Sequence, residues 1–206
     1  MEQLLFSCEQ RGTICGLDEA GRGPLAGPVV AAAVVLCDDF PIHILGDSKK
    51  LSEMQRQKAE EIIKQQALYW SVGIANSKEI DRINILEASL LAMKRAYQKI
   101  RELTPIHTAL VDGNKIPDLD CPTQAIIKGD ATVPEIMAAS ILAKNQRDRY
   151  MVLCDKKWPL YDFATHKGYP TKKHREACLL YGLCPIHRRT FSIKNRKDSQ
   201  EQQLLW

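Results

Sequence analysis

The sequence predicts an α/β fold: a mixed five-stranded sheet flanked by helices, followed by a basic, helical C-terminal region. Three observations lead there. Short apolar or alternating runs and longer helical runs follow one another in the order β-β-α-β-α-β-β-α, which a mixed sheet covered by helices accommodates. The 206 residues, 45% apolar and 26% charged, suit one domain spanning 1–206, with a core over about 10–155. Charge is unevenly placed: residues 1–143 carry 15 basic and 19 acidic side chains, and residues 144–206 carry 14 and 6. A basic region over about 156–206 beside a mildly acidic body suggests a polyanion partner, although a solvated surface would carry the same charge.

The elements follow in order. Residues 13–17 are short and partly apolar and end at Asp18-Glu19, a first strand. Gly21, Gly23, Pro24, Gly27 and Pro28 make a turn, and the Val- and Ala-rich residues 29–36 form a second strand that pairs back on the first. Residues 51–67 read as a helix opened by a capping box of Ser52 and Gln55. Trp70, Val72 and Ile74 alternate with smaller residues, the period of a strand. Asn84 caps a long helix with Leu86, Leu90, Met93, Tyr97 and Ile100 on one face. Two short strands follow at 107–111 and 124–127. Thr132 and Glu135 have capping-box spacing and open a helix to about Leu153. A short helix over 171–180 ends the regular structure, and the polar tail from Ser192 frays.

Composition excludes a mainly disordered chain, a coiled coil and a small disulfide scaffold. No apolar run reaches the ~20 residues of a membrane helix, and the acidic N-terminus, with Glu2 and Glu9, does not read as a signal peptide. The seven cysteines are scattered without a C-x-x-C pair. Idle thiols in a reducing cytoplasm are therefore expected, not a zinc site or a redox dithiol.

The acids carry the chemistry. Asp18 and Glu19 end the first strand, Asp112 ends the strand at 109–111, and Asp130 lies between a strand and a helix start. Functional residues of open α/β sheets gather at carboxyl ends of strands, so these acids can converge on one edge. Clustered carboxylates repel one another unless a cation joins them. Mg²⁺ suits a few carboxylates plus substrate phosphate, and two such ions ~4 Å apart can activate a water and steady a leaving oxygen. Each Asp taken singly could merely end a strand or cap a helix. Beside the first pair, Gly21-Arg22-Gly23 combines close backbone approach with a phosphate-matching fork. The glycine spacing fits neither a dinucleotide fingerprint nor a Walker loop.

These residues resemble the bacterial ribonuclease HII family. The opening GLDEAGRGPLAGPVVAAAVVL is very close to that family's first motif. GDSKKLS at 46–52, LVDGN at 110–114, KGD at 128–130, AASILAK at 138–144, HKGYPTKKH at 166–174 and PIHRRTF at 185–191 follow in family order. The first motif begins almost at once, which favours type 2 over the type-3 enzymes with their long N-terminal extension. The resemblance implies a ribonuclease H-like fold and a Mg²⁺- or Mn²⁺-dependent endoribonuclease. It implies cleavage of RNA in RNA–DNA hybrids and incision 5′ of single ribonucleotides in duplex DNA, leaving 3′-hydroxyl and 5′-phosphate ends. By motif, Asp18, Glu19, Asp112 and Asp130 are the metal-binding catalytic acids. Gly21, Arg22 and Gly23 read the ribose 2′-hydroxyl, and Tyr169 meets that hydroxyl and stacks on the neighbouring sugar. The expected partners are RNA–DNA hybrid and ribonucleotide-containing duplex, met by a cytoplasmic monomer with no membrane role.

Other residues have two readings. Lys49 and Lys50 precede a helix start and could hold a phosphate beside the scissile bond, or be solvated loop lysines. Lys172 and its basic neighbours read as backbone clamps. His166 reads as structural rather than as a proton shuttle. His187, Arg188 and Arg189 are either phosphate contacts or a packing cluster. Glu135 departs from the family's small hydroxyl residues; it either completes the Thr132 capping box or perturbs the metal site.

Overall fold

A computed structural model of the chain describes residues 12–46, 48 and 51–193. Lys49, Lys50 and the tail beyond 193 lie outside the described residues. Five strands form one sheet: β1 (Ile14–Ala20), β2 (Val29–Val35), β3 (Tyr69–Ala75), β4 (Thr108–Asp112) and β5 (Thr123–Ile126), in the order β3-β2-β1-β4-β5. β3, β2 and β1 run antiparallel, whereas β1, β4 and β5 run parallel, so the sheet is mixed as expected. Helices α1 (Glu53–Gln66), α2 (Ser77–Arg101), α3 (Pro134–Lys157), α4 (Phe163–His166) and α5 (Lys172–Tyr181) complete the order.

β2, VVAAAVV, is buried at every position, because a strand covered on both faces has no polar side to offer. On one face Val29, Ala31 and Ala33 pack with Leu17 and Val111 against Ala88, Ala92, Ala96 and Tyr97 of α2. On the other, Ala32 and Val34 pack against Ala59 and Ile63 of α1 and Ala138, Ala139 and Leu142 of α3. Small residues set how close α3 can lie. A Cβ on Gly16 of β1 would fall 2.3 Å from the Glu135 carbonyl carbon. A third cluster, with Met151, Tyr161, Phe163 and Ile186, forms the C-terminal lobe. Among the described residues no helix is long and apolar enough to cross a membrane. The six described cysteines are free thiols.

Several boundaries differ from the sequence reading. β1 does not stop before its acids but runs through them to Ala20, because β2 pairs Asp18 with Ala32 and Glu19 with Ala31. In β3 the large residues Trp70 and Ile74 face outward, while Ser71, Gly73 and Ala75 are buried. A Cβ on Gly73 would lie 2.0 Å from the Ala92 carbonyl oxygen, so only small residues fit under α2. Asn84 caps as expected, its Oδ1 accepting from Leu86 N at 2.9 Å and Glu87 N at 3.1 Å. Its φ of 68° kinks α2, and a first helical stretch with its own Asn76–Glu79 capping box precedes it.

The Thr132–Glu135 capping box does not form. Val133 occupies the cap position with no side-chain bond, Pro134 opens α3, and the helix continues to Lys157. The Thr132 hydroxyl is already engaged, donating to Lys128 O at 3.2 Å. Glu135 is instead half-buried over Gly16, and burial raises its carboxyl pKa.

Candidate active site

The parallel register Leu17↔Val111 sets Asp18 and Asp112 side by side at the carboxyl ends of the two central strands. β5 follows β4 in register, and the 3-10 turn Gly129–Ala131 returns Asp130 beside Asp112, where the Asp130 N–H donates to Asp112 Oδ1 at 3.2 Å. Glu19, next on β1, accepts from Arg22 Nη1 at 3.3 Å. All four acids therefore gather at one end of the sheet.

Asp18, Glu19 and Asp112 line a cavity of about 290 Å³, together with Gly21, Arg22, Gly23 and Tyr169. Asp18 is only 5% exposed, yet what exposure it has opens on that cavity. Asp130, 8% exposed, lies behind Asp112 and does not line the wall. Glu135 is not on the wall either. Lys172 lies apart from it on α5, with a side chain 92% exposed and 3.8 Å from Glu176.

The electrostatics are those of crowded carboxylates. Burial, with the charges of Glu19 and Asp112 behind it, pushes the Asp18 carboxyl well above the usual range; hydrogen bonds from Ser140 and the Glu19 N–H only partly offset this. Burial also raises Glu19, against the pull of Arg22. Ser140 in turn meets Ser48 Oγ at 2.8 Å. Lys144, also on the wall, donates to Asp148 Oδ1 at 2.8 Å and Oδ2 at 2.5 Å.

The glycine loop is held from inside by two buried arginines. Arg188, 2% exposed, donates from Nη2 to Gly21 O at 2.5 Å, from Nη1 to Arg22 O at 2.9 Å and from Nε to Gly27 O at 3.0 Å. Arg147, 1% exposed, donates to Pro28 O and Ala26 O, both at 3.2 Å, and to Lys167 O at 2.9 Å. Burial lowers Arg188 to about 9, which leaves it charged at neutral pH. Carbonyls turned inward onto these guanidiniums fix the loop's outer surface toward the cavity. Gly21 is required here: its φ is +100°, and a Cβ would sit 2.1 Å from Arg147 Nε. Gly23 faces Tyr169, a Cβ there lying 3.7 Å from the ring.

Of the alternatives left open by the 185–191 motif, burial settles those for His187 and Arg188. His187 and Arg188 are buried packing residues, and Arg189 is exposed. His166 is structural as expected: Nε2 bonds Tyr161 O at 2.6 Å and Nδ1 accepts from Gly168 N at 3.1 Å. Sequence reasoning gave no role to Ser140, Lys144 and Arg147. Ser140 alone interrupts the apolar run 136–143, whereas Lys144 and Arg147 lie in the uniformly polar run 144–149, KNQRDR, which gave no pattern to single them out.

Acids presented at the carboxyl ends of adjacent central strands in a β3-β2-β1-β4-β5 mixed sheet, beside a glycine loop, define a ribonuclease H-like nuclease. The family model for ribonuclease HII matches residues 15–194, and the chain belongs to that family: it is an endoribonuclease, a hydrolase. Ribonuclease HII of Dechloromonas aromatica (strain RCB) is 52% identical over 188 residues, 91% of this chain and 95% of that one. Ribonuclease HII of Nitrosomonas europaea is 55% identical over 181 residues, 87% of this chain and 82% of that one. Among solved structures, ribonuclease HII of Archaeoglobus fulgidus, in its complex with PCNA, superposes with a TM-score of 0.71 at 25% identity, covering 90% of this chain and 99% of that one. Ribonuclease H2 of Pyrococcus horikoshii gives 0.69 at 26% identity, covering 94% and 100%.

Proposed function

We propose that the chain cleaves the RNA strand of RNA–DNA hybrids and incises duplex DNA 5′ of a single embedded ribonucleotide, leaving 3′-hydroxyl and 5′-phosphate ends. The observation that carries this reading is that Gly21, Arg22, Gly23 and Tyr169 share a cavity wall with Asp18, Glu19 and Asp112. Glycine backbone and a tyrosine beside the reacting acids suit recognition of a sugar, and the 2′-hydroxyl is what separates ribose from deoxyribose. The test is a labelled duplex carrying one ribonucleotide, incubated with Mg²⁺ or Mn²⁺, with chelator, and beside an all-DNA control. Cleavage of the all-DNA duplex at a similar rate would overturn the specificity.

The donor set fits Mg²⁺ or Mn²⁺: carboxylates alone, crowded and with raised pKa values, are stabilised by a hard cation. Asp18, Glu19 and Asp112 would hold it, with Asp130 supporting from behind Asp112. When bound, such ions supply Lewis acidity toward the scissile phosphate and a water of lowered pKa. The chain's own residues do the rest. Ser140 orients the Asp18 carboxylate. Arg22, half exposed, offers its fork to a phosphate. Tyr169, 42% exposed, presents its ring and hydroxyl to the ribose. Lys49, Lys172 and the basic region contact the duplex backbone, so affinity falls with salt.

Two outcomes follow. Tyr169→Ala is expected to slow incision at a lone ribonucleotide about 5–150-fold, the worth of one lost stacking contact of about 1–3 kcal/mol. An unchanged rate refutes its role in reading the sugar. The second outcome concerns pH. The raised carboxyls of Asp18 and Glu19 bind protons more tightly folded than unfolded. Their contribution to metal-free stability is therefore full below the unfolded value of about 4 and lost as pH climbs through the raised folded values. Melting scans should show Mn²⁺ raising the melting temperature more at pH 8 than at pH 5, since the cation binds the ionised acids. An equal or reversed shift contradicts the assignment.

A further inference from the structure

The C-terminal lobe contains a second set of ligand-type side chains that the cavity does not use. α5 puts His174 and Cys178 one turn apart on its buried face, and the following segment brings His187 across from them. His187 Nε2 lies 3.1 Å from His174 Nε2 and 3.2 Å from Cys178 Sγ, and all three atoms fall within 4.8 Å of one another. The three residues are 0%, 4% and 3% exposed. We propose that His174, Cys178 and His187 form a binding site for a transition-metal cation of the zinc class, built from nitrogen and sulfur and separate from the carboxylate cavity.

The chemistry of the donors supports this. Two imidazole nitrogens and a thiolate suit a borderline-soft cation, whereas Mg²⁺ and Mn²⁺ prefer oxygen. His174 is already oriented: its Nδ1 meets Tyr169 O at 2.9 Å, so Nδ1 carries the proton and the Nε2 lone pair faces the cluster. Burial lowers His174 to about 4 and lowers His187 as well, so both rings are neutral at neutral pH, the ligating form. His187 Nδ1 accepts from the Cys184 N–H at 3.0 Å, so Nε2 carries the ring proton; when Nε2 ligates, that proton moves to Nδ1, and the Cys184 carbonyl, 3.3 Å away, accepts from it in place of the N–H bond. Cys184 lies on the far side of that ring, its thiol 3.1 Å from Nδ1, and braces it without joining the three donors. Without a cation the same atoms hold one another by hydrogen bonds. Binding replaces those contacts and releases the Cys178 proton, which burial holds up to about 11, so affinity rises with pH.

Cobalt titration of the full chain, stripped with chelator, tests the site, because tetrahedral nitrogen–sulfur coordination gives Co²⁺ intense visible bands and a thiolate charge-transfer band. One equivalent is expected to produce both, and Zn²⁺ to bleach them. Cys178→Ser should lose the charge-transfer band, while Asp18→Asn should keep it, which separates this site from the catalytic cavity. X-ray absorption of the zinc-loaded parent chain needs no variant and should show one sulfur neighbour. No bands at stoichiometric Co²⁺, bands unchanged in Cys178→Ser, or a zinc shell without sulfur each overturn the proposal.

Discussion

Asp18→Asn is expected to abolish cleavage, with a loss of at least about 10³-fold, while leaving hybrid binding near that of the parent. The amide keeps the shape of the carboxylate and can still meet Ser140, so the local fold has no reason to change. What it lacks is the negative charge on which a cation would rest. Asp18 is the most buried of the three acids on the cavity wall, and the charges of Glu19 and Asp112 bear on it directly. Removing that charge also relieves repulsion, so the metal-free variant should melt higher than the parent even as it loses activity. Asp112→Asn should behave alike in cleavage. Near-parental cleavage by either purified variant defeats the catalytic assignment; a fall in binding as steep as the fall in cleavage points to a different role for the acid.

The second large effect is expected at Arg188. Its guanidinium spans the carbonyls of Gly21, Arg22, Gly27 and Pro28, a geometry that a single lysine ammonium cannot cover. Arg188→Lys leaves several buried carbonyls short of a donor, at about 1–3 kcal/mol each. A loss of about 3 kcal/mol corresponds to roughly 6–12 °C in melting temperature for a chain of this size. The loop relaxes at the same time, so discrimination between ribonucleotide and all-DNA duplex should narrow even below the melting range. A variant that melts and discriminates like the parent refutes the idea that Arg188 frames the loop from within.

The order of elements and the four acids were legible because both are local signals: periodicity for the first, acids after short apolar runs for the second. Where reading failed, a partner outside the motif decided the outcome. The first strand is read over 13–17 with Asp18-Glu19 at its end, and β2 supplies ladder bonds that carry it through both acids to Ala20. Thr132 and Glu135 have the spacing of a capping box, yet the Thr132 hydroxyl serves Lys128 in the turn that carries Asp130, and Pro134 shifts the helix start. The strand read from Trp70, Val72 and Ile74 is present, but its period does not say which side is buried, and the closeness of α2 gives that side to Ser71 and Gly73. The buried role of Arg188 depends on carbonyls some 160 residues earlier, which no local window contains. The His174–Cys178 spacing was visible on α5, but its meaning depends on His187 arriving from outside that helix.

The dependence of the first loop on Arg188 has a consequence for synthesis. A nascent chain that has left the ribosome as far as the end of α3 already carries every acid and the whole sheet, but not the guanidinium that shapes residues 21–28. The framing of residues 21–28, and with it the selection of ribose, is therefore expected only once Arg188 has joined the sheet, later than the acids themselves.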